Sequence, residues 1–274
     1  MKYIHYALMT LVFALGGFSP RVFSKALSPT SLSAFREPSK SYKDYLSTEP
    51  LFKTPEWRTS VEGQARAYSE KDFGQYLEGQ QDFAEHPWME LQKSYQWVRD
   101  LRFLTTSNQP DFKRRISWLY PDDGCFTRAE LTVRKLQERG FTGLKKIFVF
   151  GDLMVNTPNT KNGRVTWWFH VAPLVKTKEA YYVIDPATSP KEILTIEQWL
   201  SLMHVSLADA QIAVCAQEAY DPGSHCEVES ALPNQEVLGH QSTYLRREWR
   251  RMVELDRDPQ VVLGERPPWT ESQP

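Results

Sequence analysis

An α+β fold, with a helix bearing the reactive group packed on a mainly antiparallel sheet, is predicted by three observations on this 274-residue chain. A helical apolar stripe follows Pro87, a second helix signal begins near Cys125, and past Gly140 the pattern changes to short runs of β-branched and aromatic residues separated by turn formers. With 41% hydrophobic and 13% aromatic residues, the chain can bury a core for one or two domains. Lysine and arginine number 33 against 34 acidic residues, a net charge of -1, so no global electrostatic attraction to nucleic acid is expected.

Taken in order, Lys2 precedes an apolar run from Tyr6 to Gly17, and small residues follow at Ser24 and Ala26. This is the pattern of a secretory signal over 1–26, cleaved after Ala26; the run is shorter than the ~20 residues of a spanning helix. A secreted or periplasmic protein with no stable membrane insertion after cleavage is the expectation. Residues 27–110 read as a Ser-, Pro- and Lys-rich linker followed by a helical region. There Trp88, Leu91, Tyr95, Val98 and Leu101 form one apolar face, with Pro87 suited to the first turn.

A catalytic domain is expected over 111–235. Asp122 and Asp123 are placed to cap a helix that starts at Gly124 or Cys125, carries Leu131, Val133 and Leu136, and stops at Gly140. Strands are expected over Lys146–Leu153, Val165–Val175 and Tyr181–Asp185, with a turn-rich loop from Asn156 to Gly163. Thr195 and Gln198 form a capping-box opening for a helix to about Met203. The remaining segment, 236–274, should hold a helix over Tyr244–Leu255 with Leu245, Trp249, Met252 and Val253 on its apolar face. Its four arginines read as a solvated surface, and Arg266 to Pro274 as a flexible end.

Three cysteines in an exported chain leave one unpaired if the other two bond. The turn-like Asp221, Pro222, Gly223 and Ser224 favour a disulfide between Cys215 and Cys226; a zinc site at Cys215, His225 and Cys226 lacks a fourth ligand. Cys125 is then the free thiol. At a helix start, unpaired amides and the helix dipole stabilise a thiolate and can hold an oxyanion, and Gly124 permits close approach. A symmetric turn at Lys176–Glu179 would set His170 opposite Asp185, so that the carboxylate orients the imidazole. His86, His204, His225 and His240 have no comparable setting.

Three motifs carry a family resemblance: Asp123-Gly-Cys-Phe-Thr-Arg-Ala129, Trp168-Phe-His-Val-Ala-Pro-Leu-Val175 and Val183-Ile-Asp-Pro-Ala187. In order and spacing they resemble the protein-glutaminases, secreted bacterial enzymes whose core is similar to transglutaminases and papain-like peptidases. The resemblance implies Cys125 as nucleophile, His170 as base and Asp185 as its orienter. The reaction it implies is deamidation of protein- or peptide-bound glutamine through a thioester, with neither metal nor organic cofactor. It also makes 27–110 a candidate inhibitory pro-region, with a permanent helical domain as the alternative reading. Tyr120, Gly124, Trp167 and Trp168 border the motifs as candidate substrate-binding residues, and a monomer acting on a protein or peptide is expected. A transglutaminase or thiol peptidase with the same triad, or a binding protein on the same scaffold, are the competing readings.

Overall fold

The computed structural model describes residues 41, 42, 44, 55–80, 82–228 and 230–270, so the expected signal segment and most of the expected linker lie outside the described residues. The short helices α1 (Pro55–Thr59) and α2 (Val61–Gln64) lead to α3 (Glu70–Glu78), where Ser69 caps the first turn by accepting from the Asp72 amide. Helix α4 (Trp88–Asp100) buries Leu91, Tyr95 and Val98 as its spacing predicts. Pro87 is its N-cap, in extended backbone, and not a first-turn residue. A hairpin follows, β1 (Leu104–Thr106) with β2 (Gln109–Arg114). β1 is only three residues long and β2 is largely exposed and polar, so periodicity did not mark them.

Helix α5 (Cys125–Glu138) buries residues on almost every side, because the sheet lies against one face and the long helix α7 (Asn234–Glu254) against another. The sheet comprises β3 (Lys145–Asn156), β4 (Arg164–Lys176), β5 (Tyr181–Val183), β6 (Leu194–Thr195) and β7 (Gln211–Ala216). Its order is β6-β5-β4-β3-β7, and every neighbouring pair is antiparallel. The α+β class is therefore met.

Phe148, Phe150, Phe169 and Val171 pack with Phe126, Ala129 and Val133 of α5. Their neighbours Ile147, Val149, Ala172 and Leu174 join Phe73 and Leu77 of α3 and Trp199 and Leu200 of α6 (Ile196–Leu202). Cover on both faces is why the centre of β3 is a continuous apolar run with no polar alternation. The capping box predicted for α6 is present, with Thr195 and Gln198 bonding reciprocally.

Two buried ion pairs brace this core. Lys146 Nζ donates to Glu130 at 2.6 Å and to the Ala219 carbonyl, joining β3 to α5. Arg114 pairs with Glu248 of α7 at 2.5 Å, and the same carboxylate accepts from the Leu119 amide at 2.8 Å. Removing one partner of such a pair strands a buried charge, at a cost of roughly 3–5 kcal/mol. This ties the segment entering the site to α7.

The sequence-based expectations for the C-terminal region need three corrections. Helix α7 begins ten residues before Tyr244, since Val237 and Gln241 extend its buried stripe. Val253, expected on the apolar face, is 56% exposed because it lies one position away from the buried Met252. The end is also tied down as far as residue 270: Pro259–Leu263 form α8, and Trp269 donates its indole N–H to Asp100 at 2.8 Å while lying under the Arg115 guanidinium. Residues 271–274 lie outside the described residues.

Candidate active site

Cys125 is the free cysteine; Cys215 and Cys226 form the expected disulfide, with the Asp221–Ser224 turn closed by Asp221 Oδ1. Cys125 opens α5, is 7% exposed, and follows a glycine in the left-handed region, φ 81°. Gly124 itself is the N-cap, and the expected aspartate cap is absent. Asp122 is held instead by a bidentate bond from Arg251 of α7, at 2.8 and 2.9 Å. Asp123 Oδ1 turns back to accept from the Gly124 amide at 2.7 Å. Both aspartates therefore brace the loop, while the first-turn amides of α5 have no side-chain cap.

His170 lies in β4, 1% exposed, with Nε2 2.8 Å from Asp185 Oδ2. The same oxygen accepts from Thr188 Oγ1 at 2.8 Å and from the Trp199 indole at 3.0 Å, so three donors converge on it. The pair forms, but not by the register expected. Strands β4 and β5 align Lys176 with Tyr181 and Leu174 with Val183, a two-residue displacement. Thr177 causes it: its hydroxyl accepts from the Glu179 and Ala180 amides and moves the turn to Thr177–Ala180. Strand β5 consequently ends at Val183, and Asp185 reaches His170 from the segment just beyond it. A shift of two preserves which face each residue presents, whereas a shift of one would not.

The electrostatics are those of a coupled pair. Burial alone would lower the imidazole pKa, but the charge and hydrogen bond of Asp185, assisted by Cys125, override it and raise His170 to about 9. Burial likewise pushes Asp185 up, and the His170 charge and hydrogen bond more than offset this, holding the carboxyl at about 2. Nδ1 of His170 is buried without a hydrogen-bond partner, while Nε2 is committed to Asp185. The nitrogen left for the thiol is thus Nδ1.

The indole of Trp167 stacks on the imidazole, 4.5 Å between centroids and 11° from parallel, and donates to the Pro121 carbonyl at 2.9 Å. Tyr120 stacks on Tyr244 of α7 and lies under the Arg251 guanidinium. Trp168 joins a different cluster with Tyr42, Phe150 and Phe169, so it is not brought to the imidazole. Three residues went unread in the sequence. Arg128, 2% exposed, donates to the Tyr120 and Asp123 carbonyls and holds the loop before the thiol. Trp199 anchors Asp185, and Tyr244 packs against Gly124. Arg128 stands in the first motif; Trp199 and Tyr244 fall in helices with no local motif to single them out. Among the described residues no cluster of three or more histidine, cysteine, aspartate or glutamate side chains could hold a metal ion.

The α+β scaffold thus sets a free, helix-initial thiol beside a buried histidine–carboxylate pair. Residues 91–203, the segment that holds the three motifs, match the family model described as Glutaminase. Among solved structures, a protein-glutaminase crystal structure is 22% identical, covering 57% of this chain and 84% of that one, with a TM-score of 0.42. The NMR structure of protein-glutaminase from Chryseobacterium proteolyticum is 20% identical, covering 68% and 92%, at 0.44. A pro-protein-glutaminase crystal structure is also 20% identical, covering 66% and 68%, at 0.44. No curated protein matches the chain.

Proposed function

We propose that this protein deamidates glutamine side chains in proteins or peptides, with Cys125, His170 and Asp185 as its catalytic residues. The observation that carries the reading is the order Asp185, His170, Cys125: a carboxylate on one ring nitrogen, the other nitrogen unpartnered, and a free thiol acting on the ring. The match of residues 91–203 to the Glutaminase family model supports the choice of substrate.

In the reaction proposed, the Cys125 sulfur, its proton taken by His170, attacks the side-chain carbonyl carbon. The resulting oxyanion faces the uncapped amides at the start of α5. His170 returns the proton to the departing nitrogen, the C–N bond breaks, and ammonia leaves a thioester on Cys125. Water then attacks with His170 as base, the C–S bond breaks, and glutamate and the thiol are released. Asp185 keeps the imidazole in the required orientation throughout. Trp167 fixes the ring from its face. No step calls on a metal or organic cofactor.

The disulfide supports a site of action in an oxidising compartment, either secreted or periplasmic. Among the described residues no helix is long and apolar enough to cross a membrane. The test is ammonia release from a glutamine-containing protein, comparing wild type with Cys125→Ala. Release by the wild type, a gain of about one dalton per site, and loss of both in the variant are expected. Wild-type release that survived in Cys125→Ala would end the thiol mechanism, and peptide cleavage or cross-linking without ammonia release as free product would end the deamidase reading.

A further inference from the structure

Trp167 stands three residues before His170 in β4, a spacing that in a regular strand puts side chains on opposite faces of the sheet. Their rings nevertheless stack, with centroids 4.5 Å apart and planes 11° from parallel. The pairing of β3 with β4 explains how. Between the pairs Phe150–Phe169 and Leu153–Trp167, β3 carries two residues, Gly151 and Asp152, where β4 carries Trp168 alone. A bulge of this kind adds twist and re-aims the side chains beside it. The indole is anchored as well: its N–H donates at 2.9 Å to the Pro121 carbonyl, in the loop that leads to Cys125.

The imidazole beneath it is 1% exposed, so water has almost no access to its faces, and a charged ring there must be stabilised by the protein itself. The ring edge is provided for: Nε2 meets Asp185 Oδ2 at 2.8 Å, and Nδ1 is left for the thiol. Two tryptophans approach the ring. Trp199 lies 5.6 Å away, tilted by 37°, with its N–H given to Asp185. Trp167 is closer and nearly parallel, and so presents its π face. Such a face attracts a cation, and the state of His170 that the stack favours is therefore the imidazolium. The charges that act on the ring favour the same state: burial works to lower the pKa, but Asp185 and Cys125 raise it to about 9.

We propose that Trp167 is a positioning residue for the base: its indole face stabilises the imidazolium formed when the Cys125 proton passes to His170 Nδ1, and the bond to Pro121 holds that face on the ring. The sulfur keeps the electron pair of the S–H bond, and the proton stays on Nδ1 until it is returned to the departing nitrogen. The inference rests on His170 serving Cys125 as base and deepens that reading. It assigns an aromatic that borders the histidine motif to the base and not to the substrate.

The experiment compares the wild type with Trp167→Phe and Trp167→Leu by NMR titration of the His170 ring protons and by the pH profile of ammonia release from a glutamine protein. Trp167→Leu keeps apolar bulk and removes the π face; Trp167→Phe keeps a ring whose face attracts cations less than that of tryptophan. The His170 midpoint is expected to fall by about one pH unit in Trp167→Leu and by about half as much in Trp167→Phe. The alkaline limb of kcat should move down with it. In the alkaline range kcat then drops about tenfold in Trp167→Leu, while KM and the rate near neutrality change little. A titration and pH profile unmoved in both variants would overturn the proposal, whether or not the melting temperature falls. So would equal displacements in the two, which would place the effect in the Pro121 anchor, or a raised KM with the titration unmoved, which would place Trp167 on the substrate. The titration uses the resting protein. If the wild type releases no ammonia, the deamidase reading fails and the His170 midpoints still decide this one.

Discussion

Replacing Asp185 by asparagine keeps the side chain's shape and removes its charge, which isolates what the carboxylate does for His170. In the wild type, burial acts to lower the imidazole pKa, and Asp185 with Cys125 nonetheless raises it from 6.5 to about 9. Without the carboxylate, burial is the main influence left, so the imidazole should titrate below 6.5. A displacement of at least ~2 pH units amounts to roughly 3 kcal/mol less stabilisation of the imidazolium. General acid–base catalysis by a positioned histidine contributes ~10²–10⁴-fold, and a fall of that order in kcat is expected at neutral pH. Fold should survive, because the amide oxygen can still accept from Thr188 and Trp199. The assay is NMR titration of the His170 ring protons beside the kcat measurement. Stability gives an independent reading. A raised histidine pKa stabilises the fold fully below ~6.5, and the benefit is lost as pH rises through about 9; the lowered Asp185 pKa stabilises above ~3.8, and that is lost as pH falls through about 2. The wild-type melting temperature should therefore decline from neutral pH towards 9, and Asp185→Asn should lack this component. A His170 titration unchanged in the variant would refute the reasoning.

Two further substitutions test the supports of the site. Gly124→Ala places a methyl group on a residue at φ 81° and drives it into the Tyr244 ring, so both left-handed strain, ~1–2 kcal/mol, and overlap oppose it. A lower melting temperature with disproportionate loss of ammonia release is expected, and a variant as stable and active as the wild type would show that this close approach is not required. Converting Cys215 and Cys226 together to serine opens a link between residues 11 positions apart, worth about 3 kcal/mol through the entropy of the unfolded chain. Thermal unfolding should move down by several degrees, and reductant should have the same effect on the wild type but none on the variant.

The site was legible where chemistry and local folding signals fall on the same few residues. Cys125 is both the free thiol and a helix start; Thr195 and Gln198 both belong to the capping box and introduce the helix that carries Trp199. Details set by distant partners were not legible. Asp122 and Asp123 have the composition of an N-cap, but Arg251 draws one of them away and Gly124 assumes the cap position. The turn beyond β4 obeys the Thr177 hydroxyl rather than a symmetric count, which moved Asp185 out of the strand while keeping it on His170. Strand β7 has an apolar run of five residues, Ile212 to Ala216, that includes the disulfide-bonded Cys215, too short for its period to distinguish strand from helix. The hairpin β1–β2 lacks even that run.

The loop from Tyr120 to Gly124 explains why α7 matters to a site whose motifs end long before it. Arg128, from within α5, holds the Tyr120 and Asp123 carbonyls. From the other side, α7 places Arg251 on Asp122, Arg247 on Asp123 and the Tyr244 ring beneath Gly124. The arginines that looked like a solvated surface are therefore divided: Arg247 and Arg251 fasten the approach to the thiol, while Arg246 and Arg250 are exposed. Lengthening α7 to 21 residues gives it enough buried face, from Val237 to Met252, to hold this position against the core. A helix fixed at so many points holds the loop before Cys125 in place, and a reacting group displaced by about 1 Å loses much of its rate. The clamp on the thiol's loop therefore comes from α7 and not from the aromatics of the histidine motif, where Trp167 is engaged with the imidazole and Pro121, and Trp168 with Tyr42 and Phe150.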